Sequence, residues 1–262
     1  MLKMNKPNFA IIISKKDTAG MNIAQELDNL GIEYHLVEEQ TIYEDDLDKK
    51  INANFFIFAT KHQSAKDSKT LSVHAPGNWN KADFGGQDSV VCPTSSSFLK
   101  HLFQILDEQA QKGKIDYQVT LEATHHGPRI NKPCCFIEIG STQRQWQDKL
   151  AGKIIAKTIQ KAVSTHIQKH TPVIAIGGPH YCPNFTKIQL NSKEYGMGHI
   201  IASYAFPISK EMVQQAIDKT IEKTKTVIID WKGCGISTER QKLIDLLESM
   251  NLKIVRTDKV RK

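Results

Sequence analysis

The sequence predicts an α/β protein with a three-layer α/β/α arrangement and an elaborated, loop-rich segment. Short apolar runs of strand length alternate with amphipathic helical segments along almost the whole chain. The first of these follow a strand–helix–strand order, the signature of a parallel sheet with crossover helices. The 262 residues, 40% of them hydrophobic, suffice for a core without staples.

Residues 9–14 read as a buried strand and 18–30 as a helix closed by Gly31, with further strands over 32–37 and 55–60. Residues 61–94 read as the loop-rich segment, marked by Pro76-Gly77-Asn78 and Gly85-Gly86. A helix is expected over 95–111, with three serines at its start for capping. Strands follow over 117–122 and, after the Pro133 break, over 134–139; a long helix follows over 142–168. A strand over 173–176 ends in Gly177-Gly178-Pro179, and shorter strands are expected over 187–190 and 199–205. A helix over 209–224, a strand over 227–231, a helix over 238–250 and a strand over 252–255 complete the pattern. No repeat, low-complexity tract or long linker interrupts it, so residues 1–262 read as a single domain.

Composition excludes several classes. The longest apolar runs, 9–13 and 55–59, have five residues each, against about 18 for a membrane span. The polar segment 1–8 lacks the apolar core of a secretory signal. Five cysteines form an odd number without framework spacing and read as reduced, buried thiols in a cytoplasmic protein. Collagen, coiled-coil, disordered-tail and disulfide-knot classes are excluded.

Charge is uneven. The net charge is +7, but residues 1–150 carry 17 Lys+Arg against 19 Asp+Glu, whereas residues 151–262 carry 18 against 9. No acidic residue occurs between Lys149 and Lys193. Lys149, Lys153, Lys157 and Lys161 recur every four residues, which on a helix makes one cationic stripe. Such a stripe attracts a polyanion through counterion release; a solvated helix face is the competing reading. Basic residues also gather at the end: Lys253, Arg256, Lys259, Arg261 and Lys262.

The polar residues that carry chemistry sit where strands run into Gly/Pro loops. Five blocks stand out: His74-Ala75-Pro76-Gly77-Asn78-Trp79, Glu122-Ala123-Thr124-His125-His126-Gly127-Pro128, Ile137-Glu138-Ile139-Gly140-Ser141-Thr142, Gly177-Gly178-Pro179-His180-Tyr181 and Gly198-His199-Ile200. Ligands in open α/β sheets bind outside the carboxyl ends of the strands. Histidine is the commonest metal ligand and the usual base near neutral pH. His74, His125, His180 and His199, with Glu122, suffice for one or two metal sites that activate water. His126 and Glu138 are candidates for proton transfer or for orienting the ligands, and His62 stays undecided. Each of these histidines could equally be hydrogen-bonded scaffolding, since neither HExxH nor CxxC spacing is present. Gly177-Gly178-Pro179 is a candidate phosphate-cradling turn, though neither a P-loop nor a dinucleotide fingerprint, as no helix is expected after it. Gly140-Ser141-Thr142 at a helix start is a better anion site, with plain capping as the alternative.

Taken together and in this order, the five blocks resemble the archaeal and plant type of D-aminoacyl-tRNA deacylase. The resemblance spans nearly the entire chain. It implies a phosphorylase/hydrolase-like α/β/α fold, a zinc ion, and hydrolysis of the ester between a D-amino acid and the 3′ end of tRNA. The resemblance does not assign ligands within the blocks; from the residues themselves, Glu122, His126 and Glu138 are the expected catalytic groups, and His74, His125, His180 and His199 the expected metal ligands. Lys149, Lys153, Lys157 and Lys161, with Trp79 and Tyr181 stacking on the terminal base, would hold tRNA. The expected partner is tRNA, with no membrane, and the protein a cytoplasmic monomer. A metal-dependent peptidase or amidohydrolase, a nucleoside phosphorylase-like enzyme and a non-catalytic tRNA-binding module are the rival readings.

Overall fold

The computed structural model describes residues 8–260. The polar segment before them, and Arg261 and Lys262 of the basic C-terminus, lie outside the described residues. The strands form two sheets rather than one. The larger contains β1 (Phe9–Ser14), β2 (His35–Val37), β3 (Phe55–Gln63), β4 (Thr70–His74), β5 (Gln118–Leu121) and β6 (Cys134–Ser141), in the order β2-β1-β3-β6-β4-β5. Its neighbours run parallel except β4 and β6, which are antiparallel. The smaller sheet is all parallel: β7 (Thr171–Ile176), β8 (Tyr195–Ile201), β9 (Thr226–Ile229) and β10 (Lys253–Arg256), in the order β10-β9-β7-β8.

Strand alternation sorts the core. Ile11, Ile13, Ile57 and Ala59 point to the face covered by α1 (Thr18–Asn29), α2 (Ser96–Gly113) and α4 (Lys149–Ser164). Ala10, Ile12, Phe56 and Phe58 point to the other face, which Ile42, Leu47, Ile51 and Ile130 cover from irregular segments. In the smaller sheet, Ile174, Ile176, Val227 and Ile229 pack against α6 (Lys210–Asp218) and α7 (Ser237–Ser249). Val173, Ala175 and Ile228 join the core cluster that holds α2 and α5 (Pro183–Asn191). The three-layer α/β/α sandwich is therefore cleanest around the smaller sheet. Helix α2 contacts β4 and β5 of one sheet and β8 of the other, so one apolar cluster runs through both. All five cysteines are buried free thiols.

Beyond the shorter extents of β2 and α6, four elements depart from the sequence reading. Strand β4 lies inside the segment expected to be loop; Thr70-Leu71-Ser72-Val73-His74 has only two aliphatic residues, so its full burial leaves little hydropathy signal. The expected long helix breaks into α3 (Gln143–Trp146) and α4, because the Asp148 carboxylate accepts the backbone N–H of Leu150 and caps a new start. Residues 187–190 are helical, not extended: α5 begins at Pro183, a residue pre-set for the first helical turn, and buries Phe185 and Ile188. A helix therefore does follow Gly177-Gly178-Pro179. Strand β8 starts earlier than expected, at Tyr195, and its Gly198 lets α6's trailing Thr220 approach; a Cβ there would lie 2.6 Å from Thr220 Oγ1.

Both sheets have a topological switch point. From β1 the chain goes out to β2 and returns to β3 on the other side of β1; from β7 it goes out to β8 and returns to β9. Crevices open at the carboxyl ends of such strand pairs. The two edges meet, since Ala123 N–H donates to His180 O at 2.8 Å and Thr124 N–H to Ile200 O at 3.0 Å.

The start of α2 is secured by a distant carboxylate. Glu222 accepts from Ser95 Oγ at 2.5 Å and from the backbone N–H of Ser96 and Ser97 at 3.0 Å each. Replacing Glu222 by Ala is expected to cost about 1–3 kcal/mol, read as a lower urea midpoint with an unchanged slope; an unchanged midpoint would show that the serines cap α2 unaided.

Candidate active site

The larger sheet carries its carboxylates where apolar residues would normally sit. Glu138 lies in the middle of β6, whose residues are all buried, opposite Thr60 on β3 and Ser72 on β4. Glu122 directly follows β5. They are 2% and 1% exposed. Burying a carboxylate costs several kcal/mol unless it is paired and hydrogen-bonded, so the surroundings must supply cations or donors. The Thr60 hydroxyl donates to Glu138 Oε1 at 2.8 Å. Histidines from four different connections supply the rest.

His62, near the end of β3, places Nδ1 3.2 Å from Glu122 Oε1 and 3.5 Å from Glu138 Oε2, while its Nε2 meets the Tyr181 hydroxyl at 2.8 Å. His180, after β7, places Nε2 3.1 Å from Glu122 Oε2. His125 Nε2 is 3.5 Å from Glu122, His74 Nε2 3.7 Å from Glu138 and His126 Nε2 3.9 Å from Glu138. His74, His125 and His126 share a further feature. Each turns Nδ1 to a backbone carbonyl close in sequence: Ala75 O at 3.1 Å, Ala123 O at 2.8 Å and Gly127 O at 2.6 Å. A donated Nδ1–H leaves the Nε2 lone pair aimed into the cluster, the usual way of fixing a metal-ligating imidazole.

Electrostatics divides the histidines into two kinds. Burial disfavours protonation of His62, yet its contacts with Glu122 and Glu138 prevail and raise its pKa to about 11. His74 is likewise raised against the pull of burial, chiefly by Glu138. Burial, reinforced by the neighbouring histidines, holds His125 far below the normal imidazole value and lowers His126 to about 4. Burial by itself would raise both carboxyl groups; the contacts of His180 and His62 hold Glu122 well below the usual carboxylate range, and those of His62 and His74 hold Glu138 at about 2. The resulting state pairs the two carboxylates with a cationic His62 and keeps His125 and His126 neutral.

The cluster fits a metal ion. Three sets of donor atoms lie mutually within 4.8 Å: His62, Glu122, His125 and His180; His74, His125 and His126; and His74, Glu122 and Glu138. His74 Nε2, Glu122 Oε1 and Glu138 Oε2 are buried without a well-aligned hydrogen bond, and the one Nδ1–H of His62 that faces both carboxylates can serve only one of them. Orphaned buried atoms of this kind call for an ion or ordered water, and imidazole with carboxylate is a donor set that suits zinc.

The structure thus brings together His74, Glu122, His125, His126, Glu138 and His180, and adds His62. It does not bring in His199. That ring is fully buried, with Nδ1 3.1 Å from Thr124 Oγ1 and Nε2 3.0 Å from Cys92 O, so both nitrogens are occupied by scaffold. Trp79 is 5% exposed, packs with Val91 and Ile201 and donates its indole N–H to Ile200 O, which makes it core rather than an open stacking surface. Tyr181 orients His62. The four lysines do line the exposed side of α4, but Lys161 pairs with Glu108 at 2.6 Å and Lys149 donates to Gln25. Neither glycine turn is free for an anion: Gly177 and Gly178 donate to Ile201 O and Gly233 O, and the backbone N–H of Thr142 donates to Gln145 Oε1.

Two clefts open onto the histidines. One, about 630 Å³, lies at the β1/β3 switch point between Tyr43, Lys61 and Phe84; the other, about 620 Å³, has Trp79, Phe84 and Tyr204 in its walls. Both contain His125, His126 and His180. Phe84, Tyr204 and Tyr43 are 65%, 57% and 53% exposed, far more than Trp79. Gly127 locks this arrangement. Its N–H donates to Phe84 O at 3.0 Å, and a Cβ there would come within 2.4 Å of both Gly86 N and Ile42 O.

Comparison with known proteins places the chain in a group. The family model described as D-aminoacyl-tRNA deacylase matches residues 49–255. The chain is 34% identical over 272 residues to the D-aminoacyl-tRNA deacylase of Pyrococcus furiosus, with 94% of this chain and 98% of the relative covered. It is 32% identical over 257 residues to the protein of that name from Methanocaldococcus jannaschii, with the same coverage. A crystal structure described as a conserved protein of unknown function superposes with a TM-score of 0.89 at 28% identity, covering 97% of this chain and 96% of that one.

Substituting Gly127 by Ala is expected to push apart the segments carrying Ile42, Gly86 and His126. The unfolding midpoint should fall by the equivalent of about 1–3 kcal/mol, and the imidazole NMR resonances of His125 and His126 should shift; unchanged spectra and stability would show that these segments part freely.

Proposed function

The chain belongs to the D-aminoacyl-tRNA deacylase family, and from that premise we propose how its histidine–carboxylate cluster carries out the reaction. The protein is an ester hydrolase that releases a D-amino acid and tRNA from D-aminoacyl-tRNA. One observation carries the assignment of the chemistry to this cluster: three orphaned polar atoms, on His74, Glu122 and Glu138, converge beneath two open clefts.

His74, His125 and His126 would hold a zinc ion through their Nε2 atoms, since their Nδ1 atoms face backbone carbonyls. When bound, it would lower the pKa of water and polarise the ester carbonyl. Glu122 and His180 stand 3.1 Å apart and work as a carboxylate–imidazole pair: Glu122 accepts the proton of the attacking water, and His180, which reaches the open clefts, returns one to the leaving ribose oxygen. His126 suits ligation better than acid catalysis, because burial keeps it neutral. Glu138, fixed by Thr60, balances the charge of His62 and holds the rings of His62 and His74 in place. Tyr181 fixes the outer edge of His62.

The two clefts divide the substrate. The terminal adenosine stacks on the exposed aromatic rings of Tyr43, Phe84 or Tyr204, and the amino-acid side chain takes the cleft floored by Trp79, whose walls admit one handedness. Exposed Lys153 and Lys157 on α4 give a cationic face for tRNA. Residues 1–262 act as one domain and as a cytoplasmic monomer in this reading. Among the described residues no helix is long and apolar enough to cross a membrane.

Incubation with D- and L-tyrosyl-tRNA is expected to release the D-amino acid preferentially; equal release of both would refute chiral selection. Glu122→Gln and His125→Ala should each lower kcat/KM about 10²-fold or more. Elemental analysis should find zinc in the purified protein, and chelation should abolish deacylation until zinc is restored. Full activity in the zinc-free protein would overturn the role given to the metal.

A further inference from the structure

The cavity at the carboxyl edge of the smaller sheet belongs to neither cleft just described. It measures about 650 Å³ and lies between α5, the end of β9 and the end of β10. This is the switch point of that sheet, flanked by β7, whose following helix is α5, and by β9, whose following helix is α7. Its walls combine a buried carboxylate with several cations. Asp230, the first residue after β9, is 6% exposed and is held by Asn184 Nδ2 at 3.0 Å. The Arg256 guanidinium lies over the Trp231 ring at 4.6 Å and is fixed by Asp258 through contacts of 3.1 Å, so it is preorganised at the rim. Lys187 and Lys232 also line the cavity, are exposed, and form no ion pair among the described residues. A carboxylate and an amide at a strand end suit a ribose diol, and two unpaired lysines beside them suit phosphate.

Position decides which ribose-phosphate this is. His180 of the histidine cluster lies on the turn that leads from β7 into α5, and Asn184 of the cavity, four residues on, lies in the first turn of α5. A strand of nucleic acid whose 3′ end reaches His180 would pass over this turn. We propose that the cavity is a binding site for the ribose-phosphate backbone of the tRNA acceptor end, upstream of the esterified adenosine, and that it contributes more affinity than the lysine face of α4. This rests on the deacylase reading of the histidine cluster. Lys187 and Lys232 act as point charges on phosphate, Arg256 as a fixed planar donor, and Asp230 as the acceptor for a ribose hydroxyl.

The test compares Lys187→Glu/Lys232→Glu with Lys153→Glu/Lys157→Glu. Both pairs are exposed, so the fold should tolerate either change. Binding of deacylated tRNA and steady-state hydrolysis of D-tyrosyl-tRNA are measured across a salt series, alongside hydrolysis of D-tyrosyl-adenosine, which lacks the upstream backbone. The Lys187/Lys232 variant should raise both the Kd for tRNA and the KM for D-tyrosyl-tRNA by about 10-fold or more, and flatten the salt dependence by about two units of slope. Its kcat and its rate on D-tyrosyl-adenosine should match the wild type, and the α4 variant should show the smaller effect. Unchanged tRNA affinity in the Lys187/Lys232 variant, or a larger loss in the α4 variant, would overturn the proposal. Competition by millimolar adenosine monophosphate that Lys187→Glu/Lys232→Glu relieves, with tRNA affinity unaltered, would assign the cavity to a free nucleotide and likewise overturn it. Because binding of deacylated tRNA needs no hydrolysis, a wild-type protein that binds tRNA but cleaves neither ester would refute the deacylase reading and leave this site standing.

Discussion

Everything about the site follows from two carboxylates buried at the end of a β-sheet. Glu122 and Glu138 are almost completely removed from water, and no Lys or Arg ion pair reaches either of them among the described residues. Their charge has to be met by something that can be cationic or neutral as required. Imidazole is the side chain that does this near neutral pH. His62 lies between the two carboxylates, and its strongly raised pKa reflects that double contact. His125 and His126, one step further from the carboxylates and crowded by other rings, go the opposite way. Identical side chains thus acquire different roles from their neighbours, and pairs of groups driven apart in pKa mark acid–base machinery.

The scaffold explains how residues from so many connections meet. Each sheet contains a switch point, and the two sheets are stitched together where the segment after β5 meets the turn after β7 and strand β8, by backbone hydrogen bonds from Ala123 to His180 and from Thr124 to Ile200. Helix α2, packed between the sheets, keeps their edges in register. The loop that presents His125 and His126 could not lie this close to residues 42 and 84–86 if Gly127 had a side chain. Local backbone freedom and global topology therefore act on the same few ångströms.

Much of this was legible in the sequence. The strand-end blocks at His74, Glu122, Glu138 and His180 stood out because a charged or imidazole side chain interrupts an apolar run just before Gly or Pro, a pattern that core packing alone does not produce. The alternation of strands and helices gave the α/β class. What escaped depended on tertiary contacts. His199 has the same local signature as His180, and only the approach of Thr124 and Cys92 shows that its nitrogens are consumed. His62 was undecided because Lys61-His62-Gln63 reads as a polar strand end; its importance comes from Glu138 two strand positions away on the neighbouring strand β6. Trp79 and Tyr181 are the aromatic residues inside the motif blocks, whereas the exposed rings of Tyr43, Phe84 and Tyr204 lie outside those blocks. The break at Asp148 was available as a capping residue inside the apparent long helix, and β4 was hidden by its hydroxyl-bearing residues.

Charge placement bears on how a large anionic substrate meets so small a cluster. Positive charge is in excess over residues 151–262, and on α4 lysines recur at helical spacing. Two of those four are engaged by Glu108 and Gln25, and a salt bridge on the surface adds little attraction for a third party. The same half of the chain also supplies every strand of the smaller sheet, including the Asp230, Trp231 and Arg256 edge that continues from the His180 turn. A phosphate backbone gains most where cations are preorganised and adjacent to the point at which its end is held, because the second contact then forms at a high effective concentration. Dispersed lysines on a helix meet the first condition poorly. Lys187 and Lys232, which form no ion pair among the described residues and line the proposed cavity beside α5, are placed to meet both.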